Sequence, residues 1–205
     1  MNSRNDADSE KKHQVILLLG SNLGGRRRML ARAKEMLGRK AGAVVRESSL
    51  YETEPWGFES QHAFLNQVLA METSLEPQEL MQLLLEIEKK LGRGSGSGSE
   101  SASGSLSGPG SDHNNSDGKK LANNESGGSN EGYSSRVIDI DILFYDQRII
   151  DTPSLKVPHP QLHRRRFTLE PLNELDPNML HPVFGKTISR LLAECHDPSQ
   201  VRKIS

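Results

Sequence analysis

The chain has 205 residues, a formal net charge of −1 and one cysteine, Cys195. This length suits one domain with a sizeable core, and the balanced charge gives no general attraction to nucleic acid or to an anionic membrane. A single cysteine excludes an intramolecular disulfide, and residues 1–30 show neither a signal-peptide pattern nor an apolar run long enough to span a bilayer. We therefore expect a cytoplasmic protein without membrane or nucleic-acid partners.

Two segments are predicted to lie outside the packed core. Residues 1–12 are polar and charged, which is typical of a disordered N-terminus. In residues 94–132, 21 of the 39 positions are Gly or Ser, so the segment cannot bury enough apolar surface to offset its ordering entropy. We expect it to be a flexible loop insert within a single domain that spans residues 13–205.

The first half of the chain predicts a strand, a helix, an antiparallel hairpin and a second helix. HQVILLLGSN is typical of a strand, and RRRMLARAKEMLG has apolar residues at helical spacing, with Gly38 as the expected end. The β-prone runs AVVRESSLYET and AFLNQVLAMETS, joined by turn residues, predict the hairpin. Pro77 and Gly92 are expected to begin and end the second helix, whose apolar stripe consists of Leu80, Leu83, Leu84, Ile87 and Leu91.

After the insert, SRVIDIDILFYD (135–146) predicts another strand, and a tail rich in Pro, His and Arg leads to a short helix near TISRLLAEC. The order strand, helix, strand, strand, helix, strand is that of a ferredoxin-like α+β domain. We therefore expect a βαββαβ core with an antiparallel sheet, helices on one face and a C-terminal extension.

Asp139 and Asp141 stand two residues apart in this apolar strand, on the face that alternates with Ile138, Ile140 and Ile142. A rise of about 3.3 Å per residue puts their Cα atoms roughly 7 Å apart. The two acids repel unless a cation joins them or one is protonated. They are either two acids on the solvent face of an edge strand or ligands of Mg²⁺, which completes its shell with water and substrate phosphates.

The segment HPQLHRRRF (159–167) combines two histidines with three arginines. Such a run is either a solvated face or the source of one guanidinium that forks onto a phosphate, and consecutive arginines point to different sides. His159 and His163 have the spacing of two metal ligands on a helix, but Pro160 argues against a continuous helix there. A zinc site at these two histidines is therefore disfavoured.

Two further patterns leave a choice between structure and binding. LLLGSNLGGRRR resembles a phosphate-binding loop but lacks the Gly-Lys-Ser/Thr ending, so a strand-to-helix turn is favoured. Asn66 interrupts the apolar run FLNQVLAM on the same face as Phe64 and Val68. A buried amide needs partners, so Asn66 either satisfies backbone groups or reads a polar ring on which Phe64 stacks.

Taken together, these residues resemble the 6-hydroxymethyl-7,8-dihydropterin pyrophosphokinase family of folate synthesis. The matching motifs occur in family order and are GSNLG, YETEPWG, FLNQV, EIEKKLGR, SRVIDIDILFYD, VPHPQLHRRRF and LEPLNEL. The resemblance implies an ATP-dependent diphosphotransferase that moves the β,γ-diphosphate of ATP to the pterin hydroxymethyl oxygen and releases AMP. Its partners would be these two small molecules, and the near-complete single domain is compatible with a monomer.

The resemblance also implies roles at matching positions. Asp139 and Asp141 would hold two Mg²⁺ ions that bridge the ATP phosphates, and together with two arginines they would form the catalytic set, Arg93, Arg136, Asp139 and Asp141. The residues implied on the nucleotide side are Glu88, Arg93, Arg136, Ile142, His159 and Arg165. Those implied on the pterin side are Thr53, Glu54, Trp56, Phe64, Asn66 and Phe167.

The segment before Arg136 departs from the family pattern. Family members carry a shorter loop with extra arginines and a closing tryptophan, whereas Gly and Ser dominate here. Tyr133 stands where that tryptophan would be and is a candidate replacement on the pterin side. We expect slower or looser closure over the substrates. The alternatives are a catalytically impaired pterin- and nucleotide-binding protein of the same fold, and an RNA-binding domain, which the missing aromatic RNP pattern disfavours.

Overall fold

The computed structural model describes residues 11–53, 63–92 and 137–204. In these ranges the strands are β1 (His13–Ser21), β2 (Ala43–Glu47), β3 (Leu50–Thr53), β4 (Phe64–Thr73), β5 (Asp139–Tyr145), β6 (Ile150–Asp151), β7 (Lys156–Val157) and β8 (Val201–Ile204). The helices are α1 (Arg26–Lys40), α2 (Pro77–Gly92), α3 (Arg166–Leu175) and α4 (Ile188–Ala193), with a 3-10 turn at Leu162–Arg164. No helix in these ranges is long and apolar enough to cross a membrane.

The main sheet is antiparallel, with strand order β5-β1-β4-β3-β8 and β2 also paired to β4. The predicted hairpin is therefore confirmed, but its first run is divided into β2 and β3. The division falls at Ser48, whose backbone N–H donates to the Val68 carbonyl and whose hydroxyl accepts from the Val68 N–H. The serine side chain thus replaces a backbone acceptor where the two strands separate.

Helices α1 and α2 cover one face of the sheet, as the fold-class prediction requires. The residues between these helices and the sheet form a first core. Its members from the strands include Val15, Leu17, Leu19, Leu65, Leu69, Met71, Ile140 and Ile142. The C-terminal extension, with α3 and α4, packs on the opposite face against Ile16, Leu18, Val68, Ala70, Leu143 and Phe144. The ferredoxin-like α+β fold class is confirmed, and the extension adds a second core on the face that carries the two aspartates.

Strand β5 changes register beside β1, where Leu17 pairs with Ile142 but Ile16 pairs with Phe144. The extra residue in β5 is Leu143. As a result, Leu143 and Phe144 both face the second core, whereas Tyr145 returns to the first. Strict alternation holds only through Leu143, which is the part of the strand that contains the acids.

The predicted end of α1 at Gly38 is wrong, because the helix continues to Lys40 and its last turn closes by the Ala41 N–H bonding to the Leu37 carbonyl. The stop is at Gly42, which has φ +138°, and a Cβ there would lie 2.1 Å from the Glu72 carbonyl oxygen. In α2, both predicted limits, Pro77 and Gly92, are confirmed.

The tail holds more structure than the sequence predicted. The short helix near TISRLLAEC is confirmed as α4, and the Thr187 hydroxyl accepts from the Arg190 N–H as its N-cap. Helix α3 was not predicted, since Pro171 interrupts its apolar pattern. The predicted disordered terminus, 1–12, and insert, 94–132, lie outside the described residues apart from Lys11 and Lys12, and they stay predictions.

Candidate active site

The two aspartates lie on β5 at one end of the sheet. Asp139 is paired with Gly20 and Asp141 with Leu18 of β1, and both side chains are half-buried. Ile138, Ile140 and Ile142 are 4–5% exposed and face the helices, so the predicted alternation along this strand is confirmed. The isoleucine side chains therefore anchor the strand in the core, and both carboxylates lie on the opposite face of the sheet.

Glu88 of α2 ties the helix to this strand. Its Oε1 accepts a 2.6 Å hydrogen bond from the backbone N–H of Ile140, the residue between the two aspartates. Among the described strands β5 lies at the edge of the sheet, so no described strand pairs with this N–H on that side, and a charged acceptor forms a strong bond to it. Glu88 thus fixes the position of the acid pair from the edge of the sheet.

Ser21 fixes the start of the same strand from the other side. It is fully buried at the end of β1, and its hydroxyl donates a 2.6 Å hydrogen bond to the Val137 carbonyl. Ser21 is a positioning residue that was not among the predicted site residues. The available signal was a serine at the end of an apolar strand, where a hydroxyl can bond to a backbone that is leaving the sheet.

Asn66 and Thr53 form a polar pair in the middle of the sheet. The Asn66 amide nitrogen donates to the Thr53 hydroxyl at 2.9 Å, and both side chains are buried. Gly20 pairs with Asn66, and a Cβ on Gly20 would lie 3.0 Å from the Asn66 Oδ1. A glycine here leaves room for the amide, which stands on β4, next to the strand of Thr53 and separated from the strand of Asp139 by β1 alone.

The GSNLGG segment forms the turn from β1 to α1, which is the strand-to-helix turn that the sequence favoured. Gly24 has φ +62°, a conformation that suits glycine, and its carbonyl accepts from the Arg26 N–H as the helix begins.

His159 is placed beside β5 by its backbone N–H, which donates to the Leu143 carbonyl at 3.0 Å. Its Nδ1 accepts from the Gln161 N–H at 3.2 Å, which leaves Nε2 to carry the ring proton. Burial, with the nearby positive charge of Arg165, lowers the pKa of His159 to about 4. This histidine is therefore a neutral hydrogen-bond donor at neutral pH.

The three arginines point in different directions, as predicted. Arg164 is exposed to solvent. Arg165, in contrast, is buried, with 6% of its surface exposed, and its guanidinium carbon lies 5.7 Å from the centre of the Phe167 ring. Arg166 donates from Nε to the Asp197 carbonyl and from Nη2 to the Cys195 carbonyl. Arg165 is thus the arginine that shares its surroundings with His159 and Phe167.

His163 does not join His159 on a helix, in agreement with the argument from Pro160. It lies in the 3-10 turn, and its ring packs against Phe184 with 4.7 Å between centroids. Phe184 in turn packs on His181. Burial lowers the pKa of His181 to about 4. Among the described residues, no group of three or more His, Cys, Asp or Glu side chains is arranged to hold a metal ion.

The remaining candidates divide into two groups. Phe64 is half-buried and pairs with Thr53 at the start of β4. Ile142 is 5% exposed in the core beneath α1 and α2, so its side chain lies on the opposite face from the acids. The candidates outside the described residues are Glu54, Trp56, Arg93, Tyr133 and Arg136.

The family model described as 7,8-dihydro-6-hydroxymethylpterin-pyrophosphokinase matches residues 16–102 and 118–177. The chain is 38% identical over 170 residues to the 2-amino-4-hydroxy-6-hydroxymethyldihydropteridine pyrophosphokinase of Porphyromonas gingivalis, with 82% of this chain and 93% of that protein covered. The enzyme of the same name from Aquifex aeolicus is 35% identical over 180 residues, with 88% and 91% covered.

Solved structures agree at the level of the fold. The crystal structure of Plasmodium falciparum HPPK-DHPS A437G superposes with a TM-score of 0.61 at 16% identity, covering 92% of this chain and 46% of that one. This chain therefore spans less than half of that solved protein. The family match across most of the chain, together with these relatives, shows that the chain belongs to the 7,8-dihydro-6-hydroxymethylpterin-pyrophosphokinase family.

Proposed function

We propose that this protein transfers the diphosphate of ATP to 6-hydroxymethyl-7,8-dihydropterin, giving AMP and the pterin diphosphate in folate synthesis. The observation that carries the proposal is the neighbouring placement, in a member of this family, of an acid pair on β5 and a buried Asn66–Thr53 pair on the same sheet face. The first suits a metal–phosphate group and the second suits a polar ring. One strand, β1, separates them.

On the pterin side, Asn66 and Thr53 provide the hydrogen-bonding pair, and Phe64 and Phe167 provide the aromatic faces. Because the Thr53 hydroxyl accepts from Asn66, its own proton is directed to another acceptor. A rigid amide with a fixed partner discriminates between ring edges better than a mobile one, since its rotamer is set before binding. Glu54, Trp56 and Tyr133 complete this side of the proposal.

On the nucleotide side, His159 and Arg165 stand beside β5, and Arg93 and Arg136 are the further cationic groups of the proposal. A neutral His159 donates a hydrogen bond without adding charge, while Arg165 supplies positive charge for the phosphates. The outer edge of β5 is the place for the adenine. Ile140 turns its N–H outward to Glu88, and Ile142, two residues on, has the same backbone orientation.

Asp139 and Asp141 are the groups that would hold two Mg²⁺ ions. Two carboxylates on one face of an anchored strand fit an ion that takes one or two protein carboxylates and completes its shell with water and substrate phosphates. A metal bound by these two residues would supply positive charge that stabilises an in-line displacement.

The reaction moves a diphosphate as one unit. The pterin hydroxymethyl oxygen forms a bond to the β-phosphorus, and the bond from that phosphorus to the α,β-bridging oxygen breaks. AMP leaves with the electron pair, and the hydroxyl proton passes to solvent. The chain's contribution is positioning and charge stabilisation, which together suffice for phosphoryl transfer.

We also propose that the protein acts as a cytoplasmic monomer. The support is compositional: a net charge near zero and a single cysteine suit a protein whose partners are small molecules.

The test is a nucleotide analysis of purified protein with Mg-ATP, with and without the pterin. The proposal predicts AMP, not ADP, and only in the complete mixture. Binding of Mg-ATP and pterin without AMP would instead establish the impaired-binder alternative. ADP as the product would contradict the proposed reaction.

A further inference from the structure

The Thr53–Phe64 end of the β3–β4 pair is bridged by one side chain from α1. Arg26, the first residue of that helix, donates from Nη1 to the Ala63 carbonyl at 2.6 Å and from Nη2 to the Glu52 carboxylate at 2.8 Å. Glu52 precedes Thr53, the last residue of β3, and Ala63 precedes Phe64, the first of β4. A single planar guanidinium therefore joins the two strands next to Thr53–Phe64, their last described pair.

The Glu52 carboxylate is held from a second side by the C-terminal strand. Arg202 of β8 pairs with Glu52 and donates from Nη2 to its Oε2 at 2.6 Å. Hydrogen bonds from Arg202 and Arg26 lower the pKa of Glu52, so it stays ionised at neutral pH. The Arg26 side chain is 30% exposed and that of Arg202 is 74% exposed, so Arg26 makes the better shielded ion pair.

Arg26 acts from the face opposite the candidate pterin site. Glu52 pairs with Leu65, whose side chain lies in the core under α1 and α2. Thr53, Phe64 and Asn66 occupy the alternate positions and face the other way. A ligand on that face is separated from Arg26 by the sheet itself, and Arg26 can affect it only through the backbone.

We propose that Arg26 is a positioning residue, which holds the Thr53–Phe64 pair, and through it the Asn66 amide, in place for the pterin. The inference rests on the proposed pterin site. Strand ends fray unless they are tied, and fraying here would move Thr53, the hydrogen-bond partner of Asn66. Arg26 therefore sets pterin affinity and leaves the nucleotide side unchanged.

The test compares Arg26→Gln, Arg26→Lys and Arg28→Gln with the wild-type chain. Arg28 is exposed two positions further along α1, so its replacement changes the charge equally without touching Glu52 or Ala63. The measurements are the Michaelis constants for ATP and pterin, the equilibrium affinity for the pterin, and amide hydrogen exchange at Thr53 and Phe64.

Arg26→Gln is expected to raise the KM and Kd for the pterin about tenfold, equivalent to about 1.4 kcal/mol, and to keep the KM for ATP within about twofold. Exchange at Thr53 and Phe64 should accelerate. Arg26→Lys should give an intermediate value, because an ammonium keeps the charge but not the fork, and Arg28→Gln should match the wild type.

Unchanged pterin affinity in Arg26→Gln, or an equal rise in both Michaelis constants, would overturn the inference. A wild-type chain that binds pterin but makes no AMP would contradict the proposed reaction alone, since affinity and exchange still decide the role of Arg26. A wild-type chain that binds no pterin would contradict both.

Discussion

At the scale of single residues, the acid pair is the feature on which the proposed chemistry depends. Replacing Asp139 or Asp141 by Asn should lower kcat by about 10²-fold or more, because it removes a charge that holds Mg²⁺ against the transferring group. The matched control is Asp151→Asn, an exposed acid of β6 that pairs with Lys156. Steady-state kinetics at saturating ATP checks this, and an active Asp139→Asn variant would contradict it.

The protonation of His159 is a second prediction at this scale. Its pKa is lowered to about 4, so between about pH 4 and its ordinary value of 6.5 the unfolded chain binds more protons than the folded one. Its contribution to stability is therefore present above pH 6.5 and is lost as the pH falls toward 4.

NMR titration of the His159 ring protons should show a midpoint well below 6, and His159→Gln should flatten the decrease in unfolding free energy over this pH range. His181 has its pKa lowered in the same direction, so some pH dependence will persist. A midpoint at 6.5 would show that the ring is solvated.

Some of these residues could be predicted from the sequence and others could not. The alternation of acids and isoleucines in DIDIL predicts which face carries Asp139 and Asp141, because period two is a property of any strand. Ser21 and Arg26 could not be identified in this way. Each acts on a backbone carbonyl far along the chain, Val137 or Ala63, and that pairing exists only after the sheet has formed.

At the scale of elements, replacing either of the two glycines near the end of α1 by alanine should change the stability of the fold, but in opposite directions. Gly42→Ala should destabilise the fold by at least about 1–3 kcal/mol, since φ +138° is strained for alanine and the new Cβ would meet the Glu72 carbonyl. Gly38→Ala should stabilise it by about 0.5–1 kcal/mol, because Gly38 lies within the helix with open space around it. Urea unfolding of both variants checks the pair, and equal effects would contradict this account of the helix end.

The elements that sequence predicted well are those with a strong period and clear limits, such as α2 between Pro77 and Gly92. The prediction of a helix end at Gly38 failed because the sequence alone does not distinguish a glycine inside a helix from a glycine that ends one. Only the close approach of β4 to Gly42 distinguishes the two positions. Strand β8 has four residues, and its place beside β3 depends on tertiary pairing.

At the scale of the whole molecule, the order of elements was enough to predict the ferredoxin-like sheet, because few topologies connect βαββαβ without crossing. It did not predict that α3 and α4 would pack beside the acid face. Leu169 and Leu172 meet Leu18 and Val68 there, and long-range contacts of this kind leave no local pattern.

The insert prediction can be tested on the intact fold. Deleting residues 95–130 should leave the melting temperature within a few degrees, because β5 is held by β1 and by Glu88, outside that segment. Turnover or the Michaelis constants should change if the segment contributes to substrate handling, as the sequence predicts. Unchanged kinetics would refute that role, and loss of folding would refute the description of 94–132 as an insert.

A positional isotope experiment would show whether the diphosphate is transferred by attack at the β-phosphorus. ATP labelled with ¹⁸O at the α,β-bridging position would be turned over with the pterin and Mg²⁺, and the products examined by phosphorus NMR. Because the bond between the β-phosphorus and the bridging oxygen breaks, we expect the label in AMP and none in the pterin diphosphate. Label in the pterin product, or retention of the labelled bridge in ADP, would contradict it.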